Sequence, residues 1–193
     1  MAVAFASATA RASARAVARP AAAAVATMQR RTFIHRTLQD ITDAGQVHEA
    51  ATKTWISRRY TLRKDGMGFS FHWTTLKEGT STLIWYKNHH EAVFVFAGEG
   101  EIEVVTPEQS EGEGTVYKLG PGDFYGLDGH ERHFLRATKG DLHVACAFNP
   151  PIAGSEDHNE DGVYPAVDDE GNKHFDLTPE VVSKLVQPPK TMR

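Results

Sequence analysis

Residues 52–150 carry a rapid succession of short runs in which apolar and polar side chains alternate, each stopped by a glycine-bearing turn. That rhythm leaves few folds open. Alternation at period two sets one face of a run against a core and the other toward water, as a half-buried strand requires. Phe69-Ser70-Phe71-His72-Trp73 shows it plainly, and over 53–63 Trp55, Tyr60 and Leu62 stand among polar neighbours. Further runs fall at 82–86, 92–96, 101–105, 115–118, 123–127, 132–137 and 142–148. The turns between them include Lys64-Asp65-Gly66, Gly98-Glu99-Gly100, Gly120-Pro121-Gly122 and Lys139-Gly140-Asp141. Many short strands so spaced build a sandwich or barrel, so an all-β domain is expected. Helical patterning is confined to 40–50 and to 179–186, the latter behind Thr178 as a cap. Residues 156–172 are acidic and irregular and read as an ordered loop or lid.

The N-terminal stretch is of a different kind. Arg11, Arg15, Arg19, Arg30, Arg31 and Arg36 precede the first acid, Asp40, in a background of alanine, serine and threonine. Arg11, Arg15 and Arg19 would share one helix face. This composition predicts a transit peptide over 1–32, with Arg30-Arg31-Thr32-Phe33 as the processing region. The expected destination is an organelle matrix, the mitochondrion favoured over the chloroplast. Taking those six arginines from the 21 basic residues leaves 15 against 25 acidic ones, so the body carries a net charge of about −10. So acidic a body argues against nucleic acid or an anionic membrane as partner. No apolar stretch is long enough to span a bilayer as a helix. Cys146 is the only cysteine, which excludes an intrachain disulfide, and its apolar neighbours mark it as core.

The spacing of a few residues fits the two motifs of cupins, small jelly-roll barrels. Gly79, Glu91 and Gly98 keep the frame of the first motif, but Trp85-Tyr86-Lys87 stands where His-x-His is usual. Gly122 and His133 keep the frame of the second, with Asp128-Gly129-His130 replacing Pro-x-Gly. Glu91 and His133 are therefore candidate metal ligands, a carboxylate and an imidazole suited to iron, zinc or manganese. Two ligands make a weak site, and a third is needed. Tyr125 stands eight residues before His133, an even separation, although Asp128-Gly129 interrupts the run.

Longer segments carry a more specific likeness. Lys64-Asp65-Gly66-Met67-Gly68-Phe69, Trp85-Tyr86-Lys87-Asn88-His89-His90-Glu91, Tyr125-Gly126-Leu127-Asp128-Gly129-His130, Phe148-Asn149-Pro150-Pro151 and His158-Asn159-Glu160-Asp161-Gly162 together resemble the ectoine synthase family over roughly 34–170. The turn at 106–114 is longer than usual for that family. The resemblance implies a cupin barrel over 33–170, with 171–193 as a C-terminal lid or tail. It implies metal ligation by Glu91, Tyr125 and His133, with ferrous iron the expected ion and zinc or manganese alternatives. It also implies substrate contacts at Trp55, Arg59, Thr74, Cys146 and Phe148, and catalytic roles for Tyr86, Glu156 and His158.

The implied reaction is closure of N-γ-acetyl-L-2,4-diaminobutyrate to ectoine with loss of water. A metal would polarise the amide carbonyl, and Glu156, His158 or Tyr86 would take the proton of the attacking amine. Arg59 would clamp the carboxylate through two parallel hydrogen bonds. A cupin dioxygenase or isomerase is a competing reading, disfavoured by the missing first-motif histidines. A ligand-binding cupin is another. Because jelly rolls leave open sheet edges, a homodimer is expected.

Overall fold

The computed structural model describes residues 33–181. One helical turn and a half, α1 (Leu38–Asp43), precedes the strands. Thr37 caps it: its hydroxyl accepts from the Asp40 N–H at 3.2 Å, and the Asp40 carboxylate accepts from the Thr37 N–H at 2.7 Å. The helix is shorter than the predicted 40–50. Gly45 adopts φ 66°, and its N–H and that of Gln46 turn back to the carbonyls of Thr42 and Ile41, which closes the helix end. The chain then extends into a strand, β1 (Val47–Glu49).

The remaining main strands are β2 (Trp55–Thr61), β3 (Ser70–Leu76), β4 (Ser81–Ile84), β5 (His90–Val105), β6 (Thr115–Leu119), β7 (Phe124–Leu127) and β8 (Arg132–Asn149). Two pairs of expected strands are thus fused into single long ones, β5 and β8. Each passes from one sheet into the other. The first half of β5 pairs with the second half of β8 and with β7, while β3, β2 and β1 extend that sheet beyond β8. The second half of β5 pairs with the first half of β8 and with β6, and β4 lies on the other side of β8. All these pairings are antiparallel. The result is a cupin-type jelly roll, two sheets wrapped around an apolar interior that includes Val93, Val95, Leu135, Leu142 and Val144.

The fusion explains why Gly98-Glu99-Gly100 is no hairpin turn. The register between β5 and β8 shifts there, and the two backbones press together as the strands bend. Gly98 has φ 79°, and a Cβ on it would lie 2.2 Å from the Asp141 carbonyl oxygen. Gly98→Ala should therefore cost about 2–4 kcal/mol. Chemical denaturation measures this, and a loss below about 0.5 kcal/mol would show that the bend is not tight.

The long turn after β5 is pinned by a side chain of that strand. The Glu103 carboxylate, wholly buried, accepts from the N–H groups of Gly112 and Gly114 at 2.7 Å each and pairs with Arg136. These partners hold its pKa below the usual carboxylate range, the Arg136 bond foremost.

After β8 the chain returns along the barrel. Trp85 and Val163 form a parallel bridge beside β4. A small hairpin comes next, β9 (Ala166–Val167) against β10 (Lys173–His174). Asp168 organises its turn by accepting from the Asn172 N–H at 2.8 Å and pairing with His174 Nε2 at 2.9 Å. The segment expected as a lid is largely packed: Val163, Tyr164, Ala166 and Val167 are buried. The boundary expected between 170 and 171 falls inside this hairpin. Residues 179–181 are helical behind Thr178, whose hydroxyl accepts from the Val181 N–H at 3.4 Å. The rest of the second expected helix, like the leader over 1–32, lies outside the described residues.

Candidate active site

The first sheet turns alternate residues inward. Register aligns Ser57 with Thr74, Arg59 with His72, His72 with Cys146, and Val93 with both Cys146 and Tyr125. Between these strands and the returning tail lies a cavity of about 440 Å³ including its mouth. Eight of the residues singled out in the sequence line it: Trp55, Thr74, Tyr86, Glu91, Tyr125, Cys146, Phe148 and His158. It is mostly apolar with a few inward polar groups, the usual make-up of a small-molecule site.

Glu91 is the most unusual group in the wall. It is 6% exposed and, among the described residues, no arginine or lysine pairs with it. Burial pushes its carboxyl up to about 8, only partly offset by a hydrogen bond with the Cys146 thiol. The same burial raises the Tyr125 phenol well above its ordinary value. His133 is wholly buried and does not line the cavity itself, but its ring centre lies 6.5 Å from that of Tyr86, which does. Its Nδ1 lies 3.0 Å from the Glu131 carbonyl and donates to it, while Nε2 is buried with no partner.

A buried carboxylate lacking a counter-cation and an imidazole whose Nδ1–H is donated elsewhere, leaving the Nε2 lone pair free, both fit a bound cation. No group of three or more His, Cys, Asp or Glu side chains that could hold a metal occurs among the described residues. The phenol of Tyr125, in the same cavity wall as Glu91, is a further oxygen donor.

Two residues sit elsewhere than the sequence suggests. Arg59 is wholly buried and off the cavity wall. Its guanidinium donates to the carbonyls of Gly154 at 2.6 Å and Glu156 at 2.8 Å, and to the Tyr164 hydroxyl at 2.8 Å. Glu156 is 1% exposed, and its carboxylate accepts from the Ala153 N–H at 2.6 Å and the Gly154 N–H at 2.7 Å. Both oxygens are spent on backbone. Arg59 and Glu156 thus stiffen the segment that delivers His158 rather than facing the cavity. His158 packs against Tyr164 at 4.5 Å and edge-on to Trp55 at 5.5 Å between ring centres. Neither of its nitrogens is hydrogen-bonded among the described residues, and burial pushes its pKa down to about 3.

Ser57, His72 and Tyr164 complete the polar part of the wall, and the sequence reading did not single them out. Parity would have found the first two, since Ser57 stands two residues from Trp55 and from Arg59, and His72 two from Thr74.

Residues 33–168 match the family model described as ectoine synthase. The chain belongs to the ectoine synthase family. It is an enzyme, a lyase that forms ectoine with release of water. L-ectoine synthase of Desulfatibacillum aliphaticivorans is 48% identical over 134 residues, 69% of this chain and 98% of that protein. L-ectoine synthase of Halalkalibacterium halodurans is 49% identical over 133 residues, 69% of this chain and 96% of that one. The crystal structure of ectoine synthase from P. lautus, 49% identical, superposes with a TM-score of 0.56 over 64% of this chain and 82% of that chain. Fe(II) HppE, 12% identical, superposes with a TM-score of 0.51 over 61% of this chain and 60% of its own, a likeness of fold alone.

These relatives correct one expectation. An organelle matrix was read from the arginine-rich leader. The ectoine synthases this chain matches are bacterial proteins aligned over nearly their whole length, from cells that have no such compartment, so the organelle assignment is withdrawn.

Proposed function

We propose that the cavity behind Glu91 closes N-γ-acetyl-L-2,4-diaminobutyrate into ectoine, with Glu91, Tyr125 and His133 holding a ferrous ion, or zinc or manganese in its place. The observation that carries this is the uncompensated burial of Glu91 beside a phenol and an imidazole with a free nitrogen. Such an ion, when bound, supplies a Lewis acid for the amide carbonyl.

The chain's own residues do the rest. Trp55 and Phe148 form apolar walls that exclude water and hold the substrate folded, so that its α-amine lies over its own acetamide carbon. The new C–N bond forms there. His158, neutral and with no hydrogen bond to its ring among the described residues, relays the proton that the attacking nitrogen sheds to the departing oxygen. Tyr86 is buried and its pKa is well raised by burial, so its hydroxyl keeps its proton and donates a hydrogen bond to the departing oxygen. That oxygen leaves as water with two hydrogens from the attacking and amide nitrogens, and the ring carbon becomes an amidine. Glu156 is left without a role as base by its two backbone hydrogen bonds.

The direct test is to supply the full chain with iron and the acetylated diamine and to track ectoine by NMR. No ectoine, or ectoine formed equally well after chelation, would refute the proposal in its present form.

A second copy of the chain is the proposed partner. The outer face of the first sheet carries Phe71 on β3, Phe94 and Phe96 on β5 and Phe124 on β7, between 40% and 66% exposed. Phe94 and Phe124 stand directly opposite each other. This aromatic face, rather than the sheet edges, is what a twofold partner would cover. Phe94→Asp with Phe124→Asp should convert a dimer to a monomer by light scattering; a wild-type protein that is already monomeric would remove the idea.

A further inference from the structure

The ligands, the proton donor and the proton acceptor leave three buried titratable groups in the wall, of which Cys146 is hydrogen-bonded to Glu91 and Tyr164 to Arg59, while His72 keeps an unpartnered ring nitrogen. His72, on β3, is 1% exposed, and its side chain lines the cavity. Its ring lies 5.1 Å from that of Phe148. Nε2 is buried with no hydrogen-bond partner among the described residues. Histidines buried for structural reasons are normally satisfied by a carbonyl or a carboxylate, and an orphaned ring nitrogen costs free energy unless something arrives to meet it.

What arrives can be argued from charge. Across the register His72 stands opposite Arg59 on one side and Cys146 on the other. The charged and titratable groups that act on it are Arg59 and His89, and both disfavour added positive charge at His72. Glu91 belongs to a different strand, β5, and sits opposite Phe148 and Leu127. The wall is thus polarised, with a guanidinium behind His72 and a carboxyl at Glu91. The guanidinium behind His72 favours an anionic group there.

We propose that His72 is a substrate-binding residue whose Nε2–H donates to the substrate carboxylate, fixing the end of the molecule that faces away from Glu91. This rests on the cyclisation proposed for the same cavity. It also assigns to His72 the carboxylate recognition that the resemblance implied for Arg59, which is off the cavity wall and whose Nη1 and Nη2 donate to Gly154, Glu156 and Tyr164.

The test compares two substrates on the iron-loaded full chain: N-γ-acetyl-2,4-diaminobutyrate and N-acetyl-1,3-diaminopropane, which keeps the same spacing between nitrogens but has no carboxylate. His72→Phe should raise KM for the first by about tenfold or more, the loss of one hydrogen bond to a charged group. It should leave KM for the second within about twofold, with kcat for either changed less than KM. His72→Asn, which keeps a donor, should recover most of the affinity. Melting curves check each fold, and His72→Leu carries the comparison if the phenylalanine variant does not fold. An equal change on both substrates, or no change on the first, would overturn the role of His72 while leaving the cyclase reading intact. A wild-type chain that cyclises neither would overturn both.

Discussion

Glu91→Gln is expected to lose iron and ring closure together while the metal-free protein melts no lower than wild type. The side chain keeps its shape but cannot carry the charge that a cation needs. Removing a Lewis acid from an amide electrophile costs several kcal/mol, so kcat/KM should fall by about a thousandfold or more. Stability should move the other way. Burial pushes the Glu91 carboxyl up to about 8 with no basic partner among the described residues, so ionising it works against the fold. Iron content by plasma emission, ectoine by NMR and a melt of the chelated protein read the three quantities. A glutamine variant that holds iron at wild-type stoichiometry and turns over normally would remove Glu91 from the site.

Arg59→Ala is expected to act on the fold first and on catalysis through it. The substitution leaves the carbonyls of Gly154 and Glu156 and the Tyr164 hydroxyl without their buried donor. Each orphaned group costs about 1–3 kcal/mol, so a total loss of about 3–5 kcal/mol is expected. Amide exchange over 153–158 should quicken, and kcat should fall because His158 is no longer held. Arg59→Lys should recover little, since one ammonium cannot reach three acceptors in the geometry of a planar fork. A variant of wild-type stability whose only defect is a raised KM would instead make Arg59 a direct clamp on the substrate.

Much of this architecture was readable because period-two alternation is a local signal that packing against one core only reinforces. The β3 run, the Trp55 run and the terminal halves of β5 and β8 all appear where alternation places them. Continuity was not readable. Gly98-Glu99-Gly100 and Lys139-Gly140-Asp141 have the composition of turns, and only the facing backbone shows that the chain bends at the first without reversing and runs on through the second. The helix over 40–50 was overextended for a related reason: Gly45 ends it, and the next residues find a partner in β2 that no local pattern announces.

The site divides along the same line. Tyr86, Glu91, Tyr125 and His158, to which the family resemblance gives roles, line one cavity. Arg59 and Glu156 were implied by the same resemblance, but a likeness of motifs does not distinguish a side chain facing the substrate from one holding the loop behind it. That depends on which backbone carbonyls and amides come within reach, a three-dimensional matter. His72 is the opposite case, a residue given no role by the motifs that the pleat alone turns inward.

The returning segment after β8 has a consequence for the order in which the enzyme is made. Glu91, Tyr125 and His133 all leave the ribosome before Asn149, the end of the last long strand. His158 and Tyr164 emerge only afterwards, carried by the stretch that Arg59 and Glu156 fasten down. A nascent chain that has just finished the barrel therefore presents the candidate iron ligands in a cavity with one wall still missing. The wall that carries His158 and Tyr164 is thus the last part of the cavity to be synthesised.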